Sequence, residues 1–548
     1  MAIEMNLRAI TAYMAERSMY ARILLAIIPG YLFILSSILY AVSGPYFSNH
    51  EADPSYAYLF NSLLITDLSV PVHTDHPGTP IQALGALILV GKWFSGCFSC
   101  ESLARSVLEN PEDYLRAISL VLTTMIAAVL YLAAMRIYRQ CGSILPSFAL
   151  QLSLLLSVGL VKMLYKVEPE PMLVIAVLLL AISISRIVFG GNTAAAENCR
   201  RSDPLVAGCA LGLGIASKVT FVPLLPVIIL FKGWRHRIYA LTATAASAVL
   251  FTAPILTQYP RVAEWLLDIL IHKGRYGQGE VGLPSGDALE SGVYSLMRGE
   301  PALFLLLGLY AVISILAWWP RTKPIVMLPA IIRQLVAVGV VVLSVQVAIT
   351  AKHPSVRYML PAMLFTAIVN AGLVYAFVSR HKALKYSLRW AIAALVVFVM
   401  WFNVRSVSEY LDRARSVHAV EAKIMARIQG LRASEKCIAI SYYEAPLVAQ
   451  AMQFGNGFAG EAYTKPLSDL YPKEVFYSFY GGGFGAFGKQ ITVRSVYDAV
   501  RQGRCVLLYG GRTLDADNFP LSKYLEPRAI IESARDQAGL YRLVVNPK

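Results

Sequence analysis

The sequence predicts a polytopic α-helical membrane protein with about eleven spans and a small C-terminal α/β domain. First, 57% of the 548 residues are hydrophobic and 15% are charged, which excludes an ordinary soluble domain of this size. Second, apolar runs of helical length recur along the chain as far as about residue 404. Third, basic residues collect beside the ends of these runs, as topology signals do in membrane proteins.

The apolar runs define the expected spans one by one. The run at 204–231 is too long for one span and contains Lys218, Pro223 and Pro226, so we expect two short helices folding back at SKVTFVP. The first run is too long for the apolar part of a cleavable signal, so we expect it to be a permanent span. The runs lie at about 20–43, 115–138, 143–164, 171–189, 204–231, 238–257, 301–319, 325–350, 357–378 and 387–404.

The basic residues give one consistent topology. No Lys or Arg occurs between Arg22 and Lys92, whereas basic clusters follow at alternate ends of the later runs. The positive-inside rule therefore predicts a cytoplasmic N-terminus, with the loop 44–114 and residues 405–548 outside the cell or in the periplasm. Topology accounts for the net charge of +15, so no nucleic-acid partner is expected. Short loops point to a bacterial inner membrane.

Within the outer loop, the segment HPGTPIQALGALILVGKWF at 76–94 is apolar enough to be a span. A span here would invert the positive-inside pattern that follows it. We interpret it as an amphipathic or half-inserted helix in the outer interface, although periodicity alone leaves a true span open. The chain thus divides into a membrane domain at 1–404 and a soluble domain at 405–548.

The C-terminal domain shows strand and helix patterns. KCIAISYY and RCVLLYGG are short apolar runs of strand type flanked by helical segments, which indicates an α/β domain. AIIESARDQAGLYRLVV predicts a closing antiparallel hairpin. The segment FYSFYGGGFGAFG lacks a following helix and is no phosphate-binding loop. We expect a flexible loop that leans on the membrane or a glycan, with a plain linker as the equal alternative.

Two carboxylates, Glu51 and Asp53, follow directly on the first span. Asp53 precedes Pro54, a pattern typical of a helix N-cap, and that role alone would explain it. Cations at predicted outer ends depart from the positive-inside rule, which favours an anionic ligand such as a phosphate in the outer leaflet. These cations include Lys218, Lys273, Arg275, Lys352, His353 and Arg357. We expect Arg275 and His353 to lie among the phosphate ligands.

Other charged residues near these positions have simpler explanations. Lys162 and Lys166 are expected to reach the interface or to pair with Glu168 and Glu170. A divalent ion could bind Glu51 and Asp53, but oxygen ligands from one short segment do not make a full site. No metal site and no cofactor are therefore predicted.

Five segments, in this order, resemble the GT-C superfamily of polyprenyl-phosphate-sugar-dependent glycosyltransferases. The likeness covers nearly the whole chain and is strongest to the protein O-mannosyltransferase and aminoarabinose transferase branch. It implies a GT-C-like catalytic domain at 1–404 and no bound nucleotide. The segments are EADPSYAYL, DHPGTPIQALGALI, LRAISLVLTTMIAAVLYLAAMRI, AGCALGLGIASKVTF and HPSVRYMLPAM.

The resemblance implies roles for individual residues. Asp53 matches the aspartate that deprotonates the acceptor, and Pro54 replaces the Glu that many relatives carry next to it. Glu51 would supply the second carboxylate, so either of the two could be the base. His76 stands where a lysine is usual and would bind phosphate. Lys218 and Arg357 match basic positions that hold the lipid phosphate, the leaving group.

The expected reaction is a single inverting displacement at the outer face of the membrane. A sugar would move from a polyprenyl-phosphate-linked donor to a lipid, polysaccharide or protein acceptor. The alternative is a transporter or flippase of a lipid-linked or anionic substrate, which predicts inverted repeats and polar residues near mid-membrane. A membrane scaffold without catalytic activity is the third class, and it leaves the carboxylates and the outer cations unexplained.

Overall fold

The protein is an integral membrane protein built mainly of α-helices. In the described part of the chain, six helices are long and apolar enough to cross a membrane, or seven if one bent pair forms a single span. Three shorter apolar helices add to these, and the predicted number of about eleven crossings stays a prediction. The computed structural model describes residues 2–48, 52–96, 102–190, 199–282, 284–318, 328–380, 386–433, 437–441, 447–478, 483–487, 489–490, 498, 505–511, 528–534 and 538–544.

The described residues of the first half of the chain form nine α-helices. The second span, Pro111–Cys141, shows how the sequence sets their ends: Pro111 takes the first helical position, acidic residues fill the first turn, and left-handed Gly142 (φ 65°) ends the helix. The helices are α1 (Ala2–Ser43), α2 (Ala52–Thr66), α3 (Thr79–Gly96), α4 (Leu103–Glu109), α5 (Pro111–Cys141), α6 (Ile144–Leu154), α7 (Val158–Met163), α8 (Glu170–Phe189) and α9 (Ser202–Ser217).

Where the structure describes it, the rest of the chain adds nine more α-helices, and four 3₁₀ segments are described. The α-helices are α10 (Trp234–Phe251), α11 (Tyr259–Ile271), α12 (Gly286–Gly299), α13 (Pro301–Trp318), α14 (Ala330–Thr350), α15 (Leu360–Arg380), α16 (Tyr386–Ala433), α17 (Val448–Gly457) and α18 (Thr464–Leu470). The 3₁₀ segments are Val219–Leu230, Ala253–Gln258, Arg275–Gly277 and Val356–Met359.

Helix α8 lies at the centre of the membrane domain. Of its most apolar stretch, 78% is buried inside the protein, against 17% for α13, which lies at the surface of the protein. Helices α5, α9 and α15 pack around α8. Because α8 begins at Glu170, this packing fixes a carboxylate at the end of the central helix.

Two segments differ from the predicted spans. The run at 143–164 is two helices, α6 and α7, because the Ser157 hydroxyl accepts the Leu160 N–H and so starts a new helix. The run at 204–231 breaks where predicted: α9 ends at Ser217, Lys218 is extended (φ −162°, ψ 129°), and a 3₁₀ segment follows. Pro223 and Pro226 lie inside that segment, where they prevent regular α-helix.

The predicted outer loop at 258–300 contains helical structure. Helix α10 and the segment Ala253–Ile271 meet at a bend of 81°, so they form either a broken span or a re-entrant loop. Helix α11, the second half of that segment, places Trp265 against His76 of the first outer loop, with 5.3 Å between ring centres. The loop therefore contributes one wall of the region described below.

The C-terminal residues include a seven-stranded mixed sheet of order β4-β3-β2-β1-β5-β7-β6. Strand β1 pairs in parallel with β2 and β5, and the remaining pairs are antiparallel. Strands β6 and β7 form the predicted closing hairpin. The strands are β1 (Cys437–Ser441), β2 (Val475–Ser478), β3 (Gly483–Ala486), β4 (Lys489–Gln490), β5 (Cys505–Gly511), β6 (Arg528–Ala534) and β7 (Ala538–Val544).

In its described residues, the glycine-rich segment forms strands and differs there from the flexible loop or linker predicted for it. Its two arms form β2 and β3, an antiparallel pair with Phe476 opposite Gly485. Aromatic residues favour strands, and Phe476 packs its ring 4.9 Å from that of Phe487. The predicted domain boundary at 404–405 stays a prediction, and α16 runs through it without a break.

Candidate functional site

A buried ion pair joins the central helix to the broken span. The Lys218 ammonium donates to the Glu170 carboxylate, and their side chains are 2% and 1% exposed. Lys218 reaches Glu170 because α9 ends one residue earlier and its backbone is extended. A buried charge without a partner is strongly destabilising, so each residue requires the other for folding.

Two cations, Lys218 and Arg357, lie against the ring of Tyr358. The Lys218 Nζ lies 4.7 Å from the centre of the Tyr358 ring, and the Arg357 Cζ lies 5.3 Å from it. Both distances are within the range of cation–π attraction. The Tyr358 and Tyr276 hydroxyl oxygens are 3.3 Å apart, which links this ring to the segment after α11. Two positive groups are thus concentrated in a protected position.

His76 lies beside the same ring. Its imidazole is 6.0 Å from the Tyr358 ring, and its buried Nδ1 has no hydrogen-bond partner in the described structure. Burial lowers the pKa of His76 well below its ordinary value, and the positive charges of Lys218 and Arg357 lower it further. The ring is therefore neutral at physiological pH, and one of its nitrogens is available to a ligand.

His73 connects this cluster to the acidic segment. Its ring packs edge-on against Tyr58 at 5.2 Å and Phe458 at 5.0 Å. Burial lowers the pKa of His73, while the negative charges of Asp75 and Asp53 raise it. Asp53 thus lies close enough to act on this imidazole electrostatically, and its own side chain is exposed to solvent.

Asp53 also has the backbone of a helix cap. Its dihedral angles (φ −95°, ψ 115°) are extended, which is the geometry of an N-cap residue, and Pro54 follows as the first helical residue. Glu112 anchors the segment on both sides of Asp53. Its carboxylate accepts the Tyr46 N–H at 2.7 Å and the Tyr56 hydroxyl at 2.7 Å. The exposed Asp53 is therefore held on a fixed turn.

Asn61 connects the loop after α2 to the C-terminal part of the chain by hydrogen bonds. Its side-chain oxygen accepts the backbone N–H groups of Val72 and His73 at 2.8 and 2.9 Å. Its amide nitrogen donates to the Phe458 carbonyl at 3.0 Å, just after α17. Asn61 is completely buried, so these bonds have no water to replace them. The position of His73 thus depends on residues nearly four hundred positions away in sequence.

The structure brings some of the predicted site residues together and leaves others apart. Lys218, Arg357 and His76 form one cluster around Tyr358. His353 also acts on His76 electrostatically, and its Nε2 accepts the Tyr276 N–H at 2.7 Å. Asp53 lies on the His73 side. Glu51 falls outside the described residues, and of Arg275 only the backbone, in a 3₁₀ turn, is described.

The expected pairing of Glu168 and Glu170 with nearby lysines is wrong for Glu170. Its partner is Lys218, which is 48 positions away, because α8 and α9 pack side by side. The positive charges of Lys166, Lys218 and Arg357 all act on the Glu168 carboxyl group. The sequence signal for these buried carboxylates was the pair of glutamates in EPEP at the start of an apolar run.

Among the described residues, no group of three or more His, Cys, Asp or Glu side chains could hold a metal ion. Cationic, neutral imidazole and phenol groups dominate the cluster instead. Such groups bind the oxygens of an anion: Arg and Lys donate charge-assisted hydrogen bonds, while a neutral histidine and a tyrosine each donate one more. The arrangement is suited to a phosphate.

No family model and no curated protein matches this sequence. Among solved structures, the chain is similar to ArnT from Cupriavidus metallidurans bound to undecaprenyl phosphate. The identity is 11% and the TM-score 0.46, over 96% of this chain and 99% of that one. The apo form of the same ArnT gives the same identity and TM-score over 94% and 99%.

Proposed function

We propose that this protein is an integral membrane glycosyltransferase of the GT-C type. It transfers a sugar from a polyprenyl-phosphate-linked donor to a lipid, polysaccharide or protein acceptor. The reaction takes place at the outer face of a bacterial inner membrane, with the N-terminus cytoplasmic and the domain at 405–548 in the periplasm. The catalytic domain at 1–404 carries the acidic outer loop 44–114.

One observation carries this proposal: two cations converge on a tyrosine at an end of the bundle where the positive-inside rule predicts none. Lys218 is 1% exposed, and Glu170 balances only one of the two positive charges. Arg357 is half-buried, and withdrawing a positive charge from water is costly, so this second charge favours an anionic partner for the site. A lipid phosphate at the outer leaflet meets that requirement, and its polyprenyl tail would remain among the spans.

The proposed reaction is one inverting displacement. The acceptor hydroxyl or amine loses its proton to Asp53 or Glu51 and attacks the anomeric carbon, while the bond from that carbon to the phosphate oxygen breaks. The bonding electrons leave with the phosphate, whose charge changes from about −1 to −2. Lys218 and Arg357 neutralise the new charge, and the His76 ring donates a hydrogen bond to it.

The exposure of Asp53 suits the role of the base. Asp53 is open to solvent at the start of α2, where an acceptor can reach it from the aqueous side. The charge of Asp53 acts on His73, and His73 in turn acts on His76 of the cation cluster. An inverting displacement places the acceptor and the leaving phosphate on opposite faces of the anomeric carbon, so we assign the acceptor to the Asp53 side and the phosphate to the cluster.

Sugar transfer from a panel of radiolabelled polyprenyl-phosphate sugars tests the proposal. The purified protein is reconstituted in vesicles with membrane acceptors, and Asp53→Asn and Glu51→Gln are compared with wild type. We expect one variant to lose about 10²-fold or more of the activity, since a general base contributes at least that much. Full activity in both variants would overturn the carboxylate mechanism. Absence of transfer from every donor would favour the transporter.

A further inference from the structure

A second buried carboxylate lies beside the cation cluster and has no assigned role. Glu168 belongs to the turn between α7 and α8, two residues before Glu170. It is 3% exposed, and its Oε1 has no hydrogen-bond partner in the described structure. An unsatisfied buried carboxyl oxygen costs about 1–3 kcal/mol, so its presence at this position calls for an explanation.

The charges around Glu168 come from four elements. Glu170 at the start of α8 is the closest in effect and has the same sign. Three cations oppose it: Lys166 in the same turn, Arg357 in the 3₁₀ segment and Lys218 after α9. Tyr58 of α2 also faces this carboxyl. With Glu168 ionised, the two carboxylates would cancel two of these three positive charges and weaken the attraction for an anion.

We propose that Glu168 is a neutral carboxylic acid that donates a hydrogen bond to the lipid phosphate, so that phosphate binding is coupled to a proton. The inference rests on the proposed function and deepens it. In the neutral form, Glu168 is a donor like the other groups of the cluster, and it leaves one net positive charge among Lys218, Arg357 and Glu170. In the ionised form it would repel the phosphate.

The environment of Glu168 supports the neutral form. Burial, and then the charge of Glu170, raise the pKa of Glu168 from 4.5 to about 8. At pH 7 the group is therefore mostly protonated before any ligand arrives. A bound phosphate adds negative charge nearby and favours the proton further. Above pH 8 the phosphate can bind only if the site takes up a proton, so affinity falls with rising pH.

The test is the affinity for farnesyl phosphate, a short polyprenyl phosphate, between pH 6 and 9.5. Between pH 7 and pH 9 the affinity of the wild type should fall about tenfold more than that of Glu168→Gln, because the glutamine amide donates a hydrogen bond at every pH. Taking the ratio of the two proteins cancels the ionisation of the ligand. Farnesol is the control ligand, and thermal melting checks that the variant is folded.

A second measurement needs no variant. Calorimetric titration of the wild type, in two buffers of different ionisation enthalpy, should show more proton uptake per farnesyl phosphate at pH 9 than at pH 7. Parallel pH profiles in wild type and Glu168→Gln, or no proton uptake at pH 9, would overturn the inference. The proposed function itself fails separately if wild type binds farnesyl phosphate no better than farnesol at any pH.

Discussion

Replacing Glu170 by Gln should destabilise the protein by about 3 kcal/mol. The change keeps the size of the side chain and removes its charge, which leaves Lys218 buried without a counter-ion. Both side chains are at most 2% exposed, so water cannot solvate the remaining ammonium. Removing one partner of a buried ion pair typically costs about 3–5 kcal/mol, and the glutamine oxygen still accepts one hydrogen bond, which places the estimate at the lower end.

The assay is the free energy of unfolding in mixed detergent micelles, measured by denaturant titration. The matched control is Glu409→Gln, which breaks the pair of Arg405 and Glu409 in α16, with 63% and 65% exposure. An exposed pair of this kind contributes less than about 0.5 kcal/mol, so the control should unfold like wild type. Equal stability of Glu170→Gln and the control would refute the buried pair.

A double variant separates stability from function. Lys218→Met combined with Glu170→Leu replaces the pair by apolar side chains of similar volume, which is often neutral or stabilising. We expect unfolding within about 1 kcal/mol of wild type. Affinity for a polyprenyl phosphate should still fall about 10- to 100-fold, since the charge-assisted bond to the phosphate is lost. Unchanged affinity in this stable variant would remove Lys218 from the phosphate site.

Three further predictions concern the surroundings of the site. Asn61→Ala should destabilise the protein by roughly 3 kcal/mol, because buried backbone groups lose their hydrogen-bond partners. It should also lower transfer activity more than lipid binding. Thermal melting measures the stability, and transfer kinetics measure the activity. Gly78→Ala should lower the melting temperature, since its φ of +67° is left-handed and a Cβ would lie 2.7 Å from Tyr58. Burial raises the pKa of Glu300 to about 7, so the folded state binds this proton more tightly. Stability should therefore fall by about 3 kcal/mol from pH 4.5 to 7, and Glu300→Gln, unlike Glu290→Gln, should abolish that slope in denaturant titrations.

The sequence predicted the parts of the fold that depend on local signals. The break at Lys218 follows from two prolines and a charge inside an apolar run, and the structure places it there. The closing hairpin of the C-terminal sheet follows from alternation around a polar turn. Departures from the positive-inside rule marked Lys218 and Arg357, and both lie against Tyr358.

Contacts set by helix packing could not be predicted in the same way. Glu170 lies near Lys162 and Lys166 in sequence, yet it meets Lys218 because α8 and α9 are neighbours in space. The same is true of Asn61 and Phe458, whose bond joins the outer loop to the segment after α17. In such cases the partner depends on tertiary packing, and sequence distance gives no guide to it.

The prediction of a loop or linker for the glycine-rich segment was wrong in the described residues for a different reason. Its composition suggested a loop, because glycine weakens strands and permits many backbone conformations. The aromatic residues between the glycines favour an extended pair, and Phe476 and Phe487 pack together once the hairpin forms.

The most direct test of the proposed lipid-phosphate site compares two ligands that differ only in the phosphate. Wild-type protein in lipid nanodiscs is titrated with a polyprenyl phosphate and with the polyprenol of the same chain length at pH 7. Two cations that each form a charge-assisted bond should favour the phosphate by at least about 3 kcal/mol, more than 10²-fold in affinity. Equal affinities would contradict a phosphate site formed by Lys218 and Arg357, and with it the proposed glycosyltransferase.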